Sequence, residues 1–296
     1  MSKPAIGFIG LGLMGSAMVG RLQSLGYPMA VIANRSRANI DAAVARGATE
    51  YKTARELAAA SEIVMLCMDT SKSVESRMLG ADGVIAGLKP GAVVIDFGTS
   101  LPDSTRMLGG AVAEAGGTLL DAPLGRTPSH AVDGKLNVMG AGDRPTYDKV
   151  KPVLDDLGEN VFHVGPLGAG HTLKLINNFF AMTMACGMSE AFAMADIAGL
   201  ERQTLYNVMS SGPLGSGMMD FIKTYAVDGD PMGLAFAVKN ARKDVGYYST
   251  MADDAGVPSL MSGAAKQALS LAIADGRGER MVPEMVDFFA KLFSGK

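Results

Sequence analysis

Near its amino terminus the chain reads Phe8-Ile9-Gly10-Leu11-Gly12-Leu13-Met14-Gly15. These glycines follow an apolar run over residues 5–9 and precede a segment whose apolar residues have helical spacing. A strand, a glycine-rich turn and a helix in this order are the context of a dinucleotide-binding loop, in which the helix N-terminus faces phosphate groups. Gly10 would form the tight turn, Gly12 would admit a pyrophosphate, and Gly15 would pack helix against strand. We therefore predict a cofactor-binding loop, with a purely structural turn as the alternative. It consists of Gly10, Leu11, Gly12, Leu13, Met14 and Gly15.

Further apolar runs alternate with helical stretches through the first half of the chain. They cover residues 29–33, 63–68, 92–97, 118–122, 136–139 and 161–164. Uniformly apolar strands are typical of a parallel sheet that is covered on both faces. After the glycine- and proline-rich residues 165–170, a helical pattern runs over residues 171–198 and further helical segments follow. The sequence therefore predicts an α/β Rossmann domain with a doubly wound, mainly parallel sheet over residues 1–164. An all-α domain is predicted over residues 165–296.

The composition narrows the class of protein. The 296 residues are 48% hydrophobic and 19% charged, which is typical of a globular protein of about two domains. The net charge of −3 gives no electrostatic footprint for nucleic acid or an anionic membrane. Cys67 and Cys186 are far apart in the sequence, so neither a disulfide framework nor a metal site is indicated. We expect a cytoplasmic protein without a membrane span or export signal.

The residues after the second predicted strand bear on the choice of nucleotide. An NAD-binding loop normally has an acidic residue here, which binds the ribose 2′-hydroxyl. This chain instead has Asn34, Arg35 and Ser36. Arg35 can pair with a 2′-phosphate, and its two neighbours can donate hydrogen bonds to it. The sequence thus favours NADP(H) over NAD(H). The alternative is that Arg35 and Arg37 only solvate an exposed loop.

A lysine stands near the start of the long predicted helix. Lys174 and Asn178 are four residues apart and share a helical face. A lysine near a carbonyl oxygen can donate the proton that accompanies hydride transfer, and Asn178 could orient the lysine or the substrate. The alternative is a partly exposed lysine with an amide neighbour. His171 lies one turn earlier, and we interpret it as structural or peripheral.

Five stretches together resemble the β-hydroxyacid dehydrogenase family, which includes 3-hydroxyisobutyrate dehydrogenase, tartronate semialdehyde reductase and succinic semialdehyde reductase. They are residues 8–15, Asp121-Ala122-Pro123-Leu124, Gly134-Lys135-Leu136, residues 170–178 and Lys243-Asp244. The resemblance extends over essentially the whole chain. It implies a Rossmann domain, a helical domain built on a long interdomain helix, and a cleft between them for cofactor and substrate. It also implies a homodimer or homotetramer.

The resemblance further implies roles for single residues. Lys174 would be the general acid/base, and Asn178 its substrate-binding companion beside Asn177. The substrate would be a small anionic aldehyde or hydroxy acid. The family pattern further implies that four residues lie beside the cofactor: Cys67, Met68, Thr99 and Lys243.

One triplet departs from the family pattern. Most members have Ser-Gly-Gly where this chain has Gly125, Arg126 and Thr127. A guanidinium and a hydroxyl suit a highly charged or tetrahedral oxyanion, and this triplet is similar to that of the 3-sulfolactaldehyde reductases. The alternative is a structural salt bridge of Arg126 in an enzyme for carboxylate substrates, such as 3-hydroxyisobutyrate, tartronate semialdehyde or succinic semialdehyde. A non-catalytic dinucleotide-binding module and an imine reductase are further alternatives, but such relatives usually lack the lysine that Lys174 supplies.

Overall fold

A computed structural model of the chain describes residues 3–33 and 37–295. Asn34, Arg35 and Ser36, on which the expected nucleotide preference depends, lie outside the described residues. The chain divides into two compact units, Met1–Lys174 and Leu175–Lys296.

Six parallel strands form the main sheet of the first unit. They are β1 (Ile6–Ile9), β2 (Met29–Ile32), β3 (Thr49–Tyr51), β4 (Ile63–Leu66), β5 (Val93–Asp96) and β6 (Thr118–Asp121). Their spatial order is β3-β2-β1-β4-β5-β6, which confirms the predicted doubly wound parallel sheet. The sequence did not reveal β3, because this edge strand has three residues and none of them is buried.

Helices cover both faces of this sheet. They are α1 (Leu13–Ser24), α2 (Arg37–Ala45), α3 (Ala54–Ala60), α4 (Ser71–Met78) and α5 (Pro102–Glu114). Successive residues of a strand point to opposite faces. Phe8 accordingly belongs to the apolar cluster that includes Met18 and Leu22 of α1, whereas Ile9 belongs to the cluster that includes Leu57 of α3. Burial on both faces explains why these strands read as continuous apolar runs.

A second, three-stranded sheet completes the first unit. Its strands are β7 (Leu124–Gly125), β8 (Leu136–Gly140) and β9 (Gly158–His163), and its helices are α6 (Pro128–Val132) and α7 (Arg144–Asp155). Strand β8 lies between the other two, antiparallel to β7 and parallel to β9. The two residues of β7 give no periodicity that a sequence pattern could reveal.

The second unit is built of helices, as the sequence predicts. The first of them, α8 (Ala169–Ile197), begins in the first unit, and the others are α9 (Arg202–Ser210), α10 (Gly217–Ala226), α11 (Val238–Asp254), α12 (Leu260–Ala274) and α13 (Met285–Ser294). Met182, Phe192, Val245, Leu269 and Phe289 are buried together in its core. Within residues 3–33 and 37–295, none of the helices has the length and apolar character needed to span a membrane.

A capping box at the start of α3 gives a direct test of the fold. Thr53 Oγ1 accepts the backbone N–H of Glu56 at 3.1 Å, and Glu56 Oε2 accepts the backbone N–H of Thr53 at 3.2 Å. Thr53→Ala should lower the free energy of unfolding by about 1 kcal/mol, because a helix donor loses its acceptor. Thr53→Ser keeps the oxygen and is the control. Equal urea denaturation midpoints for the alanine and serine variants would contradict the prediction.

Candidate active site

The glycine loop at the end of β1 has the geometry of a phosphate-binding turn. Gly10 has φ +102°, and a Cβ there would lie 2.3 Å from Cys67 O. A Cβ on Gly15 would lie 2.0 Å from Gly10 O, so both positions require glycine for the turn itself. A Cβ on Gly12 would meet nothing within 4 Å. The protein's own packing therefore does not explain Gly12, whereas close approach of a phosphate to its backbone does.

The start of α1 fits an anionic group. Gly12 is the N-cap residue, no side chain caps the helix, and its first turn contains no acidic residue. The side of the loop at Gly12 and Leu13 is exposed. The first N–H groups of a helix lack intrahelical acceptors and attract anions through the helix dipole. The residues present therefore fit the pyrophosphate of a dinucleotide.

The loop after β4 adjoins the glycine loop, and the loop after β5 adjoins the loop after β4. The backbone N–H of Cys67, which follows β4, donates to Ile9 O at 2.9 Å. A Cβ on Gly98, which follows β5, would lie 3.1 Å from Met68 O. The structure thus brings Cys67 and Met68 against the glycine loop, with Thr99 in the adjoining loop. This is the point where the order of the sheet reverses around β1, and such switch points bind nucleotides in this class of fold.

Arg37, next to the undescribed residues, is already engaged. Its Nε lies 2.7 Å from Asp41 Oδ1, and its Nη1 and Nη2 lie 2.6 and 2.8 Å from the carboxylate oxygens of Glu50. These hydrogen bonds hold the pKa of Glu50 below its usual value. Glu50 lies on β3, which the sequence did not reveal. The guanidinium of Arg37 is therefore committed to these two carboxylates.

The turn that carries Lys174 is fixed to the segment after β6. Lys174 Nζ donates to Leu124 O at 2.7 Å. The Asp121 carboxylate accepts the backbone N–H groups of Gly168 at 2.8 Å and His171 at 2.7 Å. A Cβ on Gly170 would lie 2.4 Å from Met139 O, so the helix approaches the β6–β8 region as closely as glycine allows. Lys174 therefore projects from a closely constrained helical turn.

The Gly-Arg-Thr triplet has an unusual backbone. Arg126 has φ +74°, the only positive φ at a non-glycine residue within the described chain. Its Nη1 donates to Lys135 O at 2.7 Å and to Glu159 Oε2 at 2.5 Å. Thr127 Oγ1 is hydrogen-bonded to His130 Nδ1 at 2.7 Å. Glu159 and His130 are partners that the sequence did not indicate.

A second cluster of predicted residues lies within the helical unit. Asn178 Nδ2 donates to Asp244 Oδ2 at 2.6 Å, and Asn177 Nδ2 donates to Asn178 Oδ1 at 3.1 Å. Lys243 Nζ lies 3.0 Å from Asp244 Oδ1. Asp244 is buried. Its carboxylate contacts both Asn178 of α8 and Lys243 of α11. Its role was missed from the sequence, although the motif Lys243-Asp244 contained the signal.

Comparisons with known proteins identify the family. The profile described as the NAD binding domain of 6-phosphogluconate dehydrogenase matches residues 5–165. The profile described as NAD-binding of NADP-dependent 3-hydroxyisobutyrate dehydrogenase matches residues 168–289. The chain belongs to the 3-hydroxyisobutyrate dehydrogenase-like β-hydroxyacid dehydrogenase family. The resemblance seen in the sequence is thereby confirmed at the level of the family.

Individual members of this family are similar over nearly their full length. NAD-dependent L-serine dehydrogenase of Pseudomonas aeruginosa is 30% identical over 281 residues, which cover 93% of this chain and 94% of that protein. 2-(Hydroxymethyl)glutarate dehydrogenase of Eubacterium barkeri is 29% identical over 288 residues, which cover 97% and 95%. A solved structure of Mycobacterium tuberculosis 3-hydroxyisobutyrate dehydrogenase with L-serine superposes with a TM-score of 0.84. It is 22% identical and covers 97% of this chain and 99% of that chain, which shows the shared fold.

Membership of this dehydrogenase family defines the class of reaction. The chain has NAD(P)-binding domains, and it is an oxidoreductase that acts on a CH–OH group.

Two glycine substitutions in the loop should have opposite effects. Gly15→Ala should lower the free energy of unfolding by about 1–3 kcal/mol, because its Cβ overlaps backbone. Gly12→Ala should leave the melting temperature of the nucleotide-free protein unchanged but weaken NADPH binding by at least about tenfold, because the methyl group occupies space needed by the pyrophosphate. Thermal melts and fluorescence titration measure both effects. Normal NADPH affinity in Gly12→Ala would refute the assigned role.

Proposed function

We propose that the protein reversibly reduces a small anionic aldehyde to the corresponding hydroxy acid with NADP(H), and that Lys174 is the general acid/base. The observation that carries this proposal is the placement of Lys174 Nζ, 2.7 Å from Leu124 O, in a dehydrogenase of this family. When bound, the dinucleotide supplies or accepts a hydride at C4 of its nicotinamide.

The ammonium group of Lys174 would hold the proton that the reaction moves. Leu124 O accepts a hydrogen bond from this ammonium group and so fixes its position. During reduction Lys174 would donate a proton to the carbonyl oxygen, and during oxidation the amine would accept the proton of the hydroxyl group. Asn178 would bind the substrate with its side-chain amide held by Asp244.

The anionic end of the substrate would bind to Arg126 and Thr127. Within the described residues the acceptors of Arg126 are Lys135 O and Glu159 Oε2, and both bind Nη1. Nε and Nη2 therefore keep three N–H donors for an anion, since a guanidinium has five. This anchored fork suits a tetrahedral sulfonate, which favours a substrate of the 3-sulfolactaldehyde type.

A carboxylate substrate is the second candidate. The Glu159 carboxylate pairs with Arg126 and offsets its charge, which weakens attraction for a strongly anionic group. Two relatives are named for carboxylate-bearing substrates, L-serine and 2-(hydroxymethyl)glutarate. These observations favour a carboxylate β-hydroxy acid if Arg126 serves only the fold.

The proposed preference for NADP(H) depends on Arg35 and its neighbours Asn34 and Ser36. All three kinds of guanidinium nitrogen of Arg37 are engaged by Asp41 and Glu50. Arg35 is therefore the residue that we propose for the 2′-phosphate. The L-serine dehydrogenase relative is named as NAD-dependent, so both nucleotides belong in the assays.

The role of Lys174 can be tested by removing its amine. Lys174→Met should lower kcat by at least about 100-fold, because general acid–base catalysis contributes about that much or more. Its affinity for NADPH should stay within about twofold of wild type if the lysine acts on the proton alone. Lys149→Met is the matched control, since Lys149 Nζ also donates to a backbone carbonyl, Gly91 O, on an exposed surface. Near-normal turnover of Lys174→Met would exclude the assignment.

The role of Arg126 can be tested by comparing two classes of substrate. We expect wild type to prefer 3-sulfolactaldehyde over tartronate and succinic semialdehydes in kcat/KM. Arg126→Ala should reduce that preference by about tenfold or more, because it removes hydrogen bonds to a charged group. Glu159→Gln removes the competing charge but retains an acceptor, so it should preserve or increase the preference. Measurements with both NADPH and NADH also give the nucleotide preference.

Two results would support the carboxylate candidate instead. One is a wild-type preference for the carboxylate semialdehydes. The other is an equal effect of Arg126→Ala on both classes of substrate, as expected for a structural salt bridge.

A further inference from the structure

Three ionisable side chains are buried together beneath the first turn of α8. His171 and Asp121 are fully buried, and Asp96 is 3% exposed. The imidazole lies between the two carboxylates: Nε2 is 3.7 Å from Asp96 Oδ2, and Nδ1 is 3.8 Å from Asp121 Oδ2. Asp96 and Asp121 are the last residues of β5 and β6 and are paired in register. A second ion of like charge would be very costly here without a cation between the carboxylates.

Asp121 performs the work of two capping side chains. In a capping box, the N-cap side chain accepts the N–H of the third helical residue, and that residue's side chain accepts the N–H of the N-cap. In α8 these positions are Gly168 and His171, and neither supplies a capping side chain. Asp121 instead accepts the N–H of Gly168 with Oδ1 and the N–H of His171 with Oδ2. The cap is complete only when both oxygens are acceptors, as they are in the carboxylate form.

Burial opposes that carboxylate form. Desolvation raises the pKa of Asp121, and a charge at His171 and the backbone hydrogen bonds to the carboxylate offset only part of the increase. A positive charge at His171 would therefore favour the ionised cap.

The hydrogen bonds of the imidazole fit its protonated form. The Thr105 hydroxyl donates to Leu101 O at 3.2 Å, which leaves its oxygen to accept from His171 Nδ1 at 2.7 Å. His171 Nε2 has no hydrogen-bond partner within the described residues and faces Asp96 Oδ2. A proton on Nε2 would direct an N–H at that carboxylate, whereas a lone pair would face it with like charge. Asp96 in turn accepts hydrogen bonds from Gly98 N and Ser100 Oγ, each at 2.8 Å.

We propose that His171 is a positioning residue, a buried imidazolium that keeps Asp121 ionised and thereby holds the helical turn of Lys174 against Leu124. The proposal rests on the proposed role of Lys174 for its effect on catalysis. His171 itself does not touch substrate or cofactor in this proposal; it acts through Asp121 and the backbone of α8. This changes the interpretation of His171 from a merely structural or peripheral residue to one that sets the pH range of activity.

Other charged groups on the packed elements do not replace this charge. On α5, Arg106 pairs with Asp103 at an exposed surface, and its Nη1 would lie 2.9 Å from a Cβ on Gly168. On α8, Lys174 donates to Leu124 O. The facing groups on β5 and β6 are the two carboxylates themselves, Asp96 and Asp121.

His171→Gln tests the proposal through the pH dependence of kcat. Without the imidazolium, burial should raise the pKa of Asp121 further, so the cap should be lost as pH falls through that value. We expect kcat of the variant to approach wild type at alkaline pH and to fall below it by about tenfold or more toward acidic pH, since a displacement of about 1 Å can cost on the order of 100-fold. Affinity for NADPH should not change. His163→Gln is the matched control, because His163 Nε2 is hydrogen-bonded to a backbone carbonyl, Gly142 O, at 2.9 Å, and its ring packs edge-on against Tyr147, away from the two carboxylates.

A second variant mimics the protonated cap at every pH. Asp121→Asn retains one acceptor and places an amide N–H₂ against a backbone N–H, so its kcat should be low and show no added pH dependence. A pH-independent decrease in His171→Gln, parallel to a lower melting temperature, would reduce His171 to a structural role and overturn the proposal. An unchanged kcat profile would overturn it as well.

Nitrogen NMR of the wild-type protein tests the charge state without any activity assay. The chain has three histidines, so the spectrum of ¹⁵N-labelled side chains is simple to assign. The signals that His171→Gln removes belong to His171. If that variant does not fold, His130→Gln and His163→Gln assign the other two histidines. We expect His171 to carry protons on both nitrogens at the pH where wild-type kcat is highest. A neutral ring at that pH would overturn the proposal whatever Lys174 does. Conversely, an imidazolium together with normal kcat in Lys174→Met would refute the proposed acid/base and leave the charged cap standing.

Discussion

The two hydrogen bonds that Asp121 accepts from the backbone at the start of α8 are the contact on which the proposed catalytic geometry depends. They join the carboxyl end of a buried strand to the first turn of the helix that carries Lys174. Three residues beyond Asp121, Leu124 O accepts the lysine ammonium at 2.7 Å. One short segment therefore fixes both the backbone and the side chain of the proposed acid/base. The close contact of Gly170 with Met139 O excludes a larger residue that would lift the helix away.

The parallel sheet explains why so many candidate residues of the first unit lie at one edge. Adjacent parallel strands end on the same side, so the loops after β1, β4 and β5 and the residue Asp121 at the end of β6 are neighbours in the order of the sheet. The glycine loop, Cys67 and Thr99 are thus brought together by strands that are separated along the sequence by helices. A buried parallel sheet also provides the low-dielectric surroundings in which a single charge at His171 has a large effect on Asp121.

The sequence predicted those features that repeat or that involve special backbone geometry. The buried strands were recognisable because both faces are covered, and the glycine loop because Gly10 and Gly15 have no alternative to glycine. The long helix was predicted over residues 171–198 and is observed at Ala169–Ile197. Strands β3 and β7 were not predicted, because their three and two residues are too few to show a periodic pattern. The partners Glu159 and Asp244 escaped for a different reason, since pairing between distant residues leaves no local pattern in one sequence.

The energies of the backbone and contacts of Arg126 bear on which substrate the protein binds. Left-handed backbone at a non-glycine residue costs roughly 1–2 kcal/mol, and Arg126 has φ +74°. Its partner Glu159 has a side chain that is 52% exposed, and ion pairs at such surfaces contribute about 0–1 kcal/mol. The hydrogen bond to Lys135 O adds about 0.5–1.5 kcal/mol. These contributions are similar in size, so the two interactions of Arg126 do little more than offset the cost of its backbone conformation. Backbone strain that the fold does not require is commonly found at functional sites. At Arg126 such a site would bind an anionic substrate through the Nε and Nη2 donors.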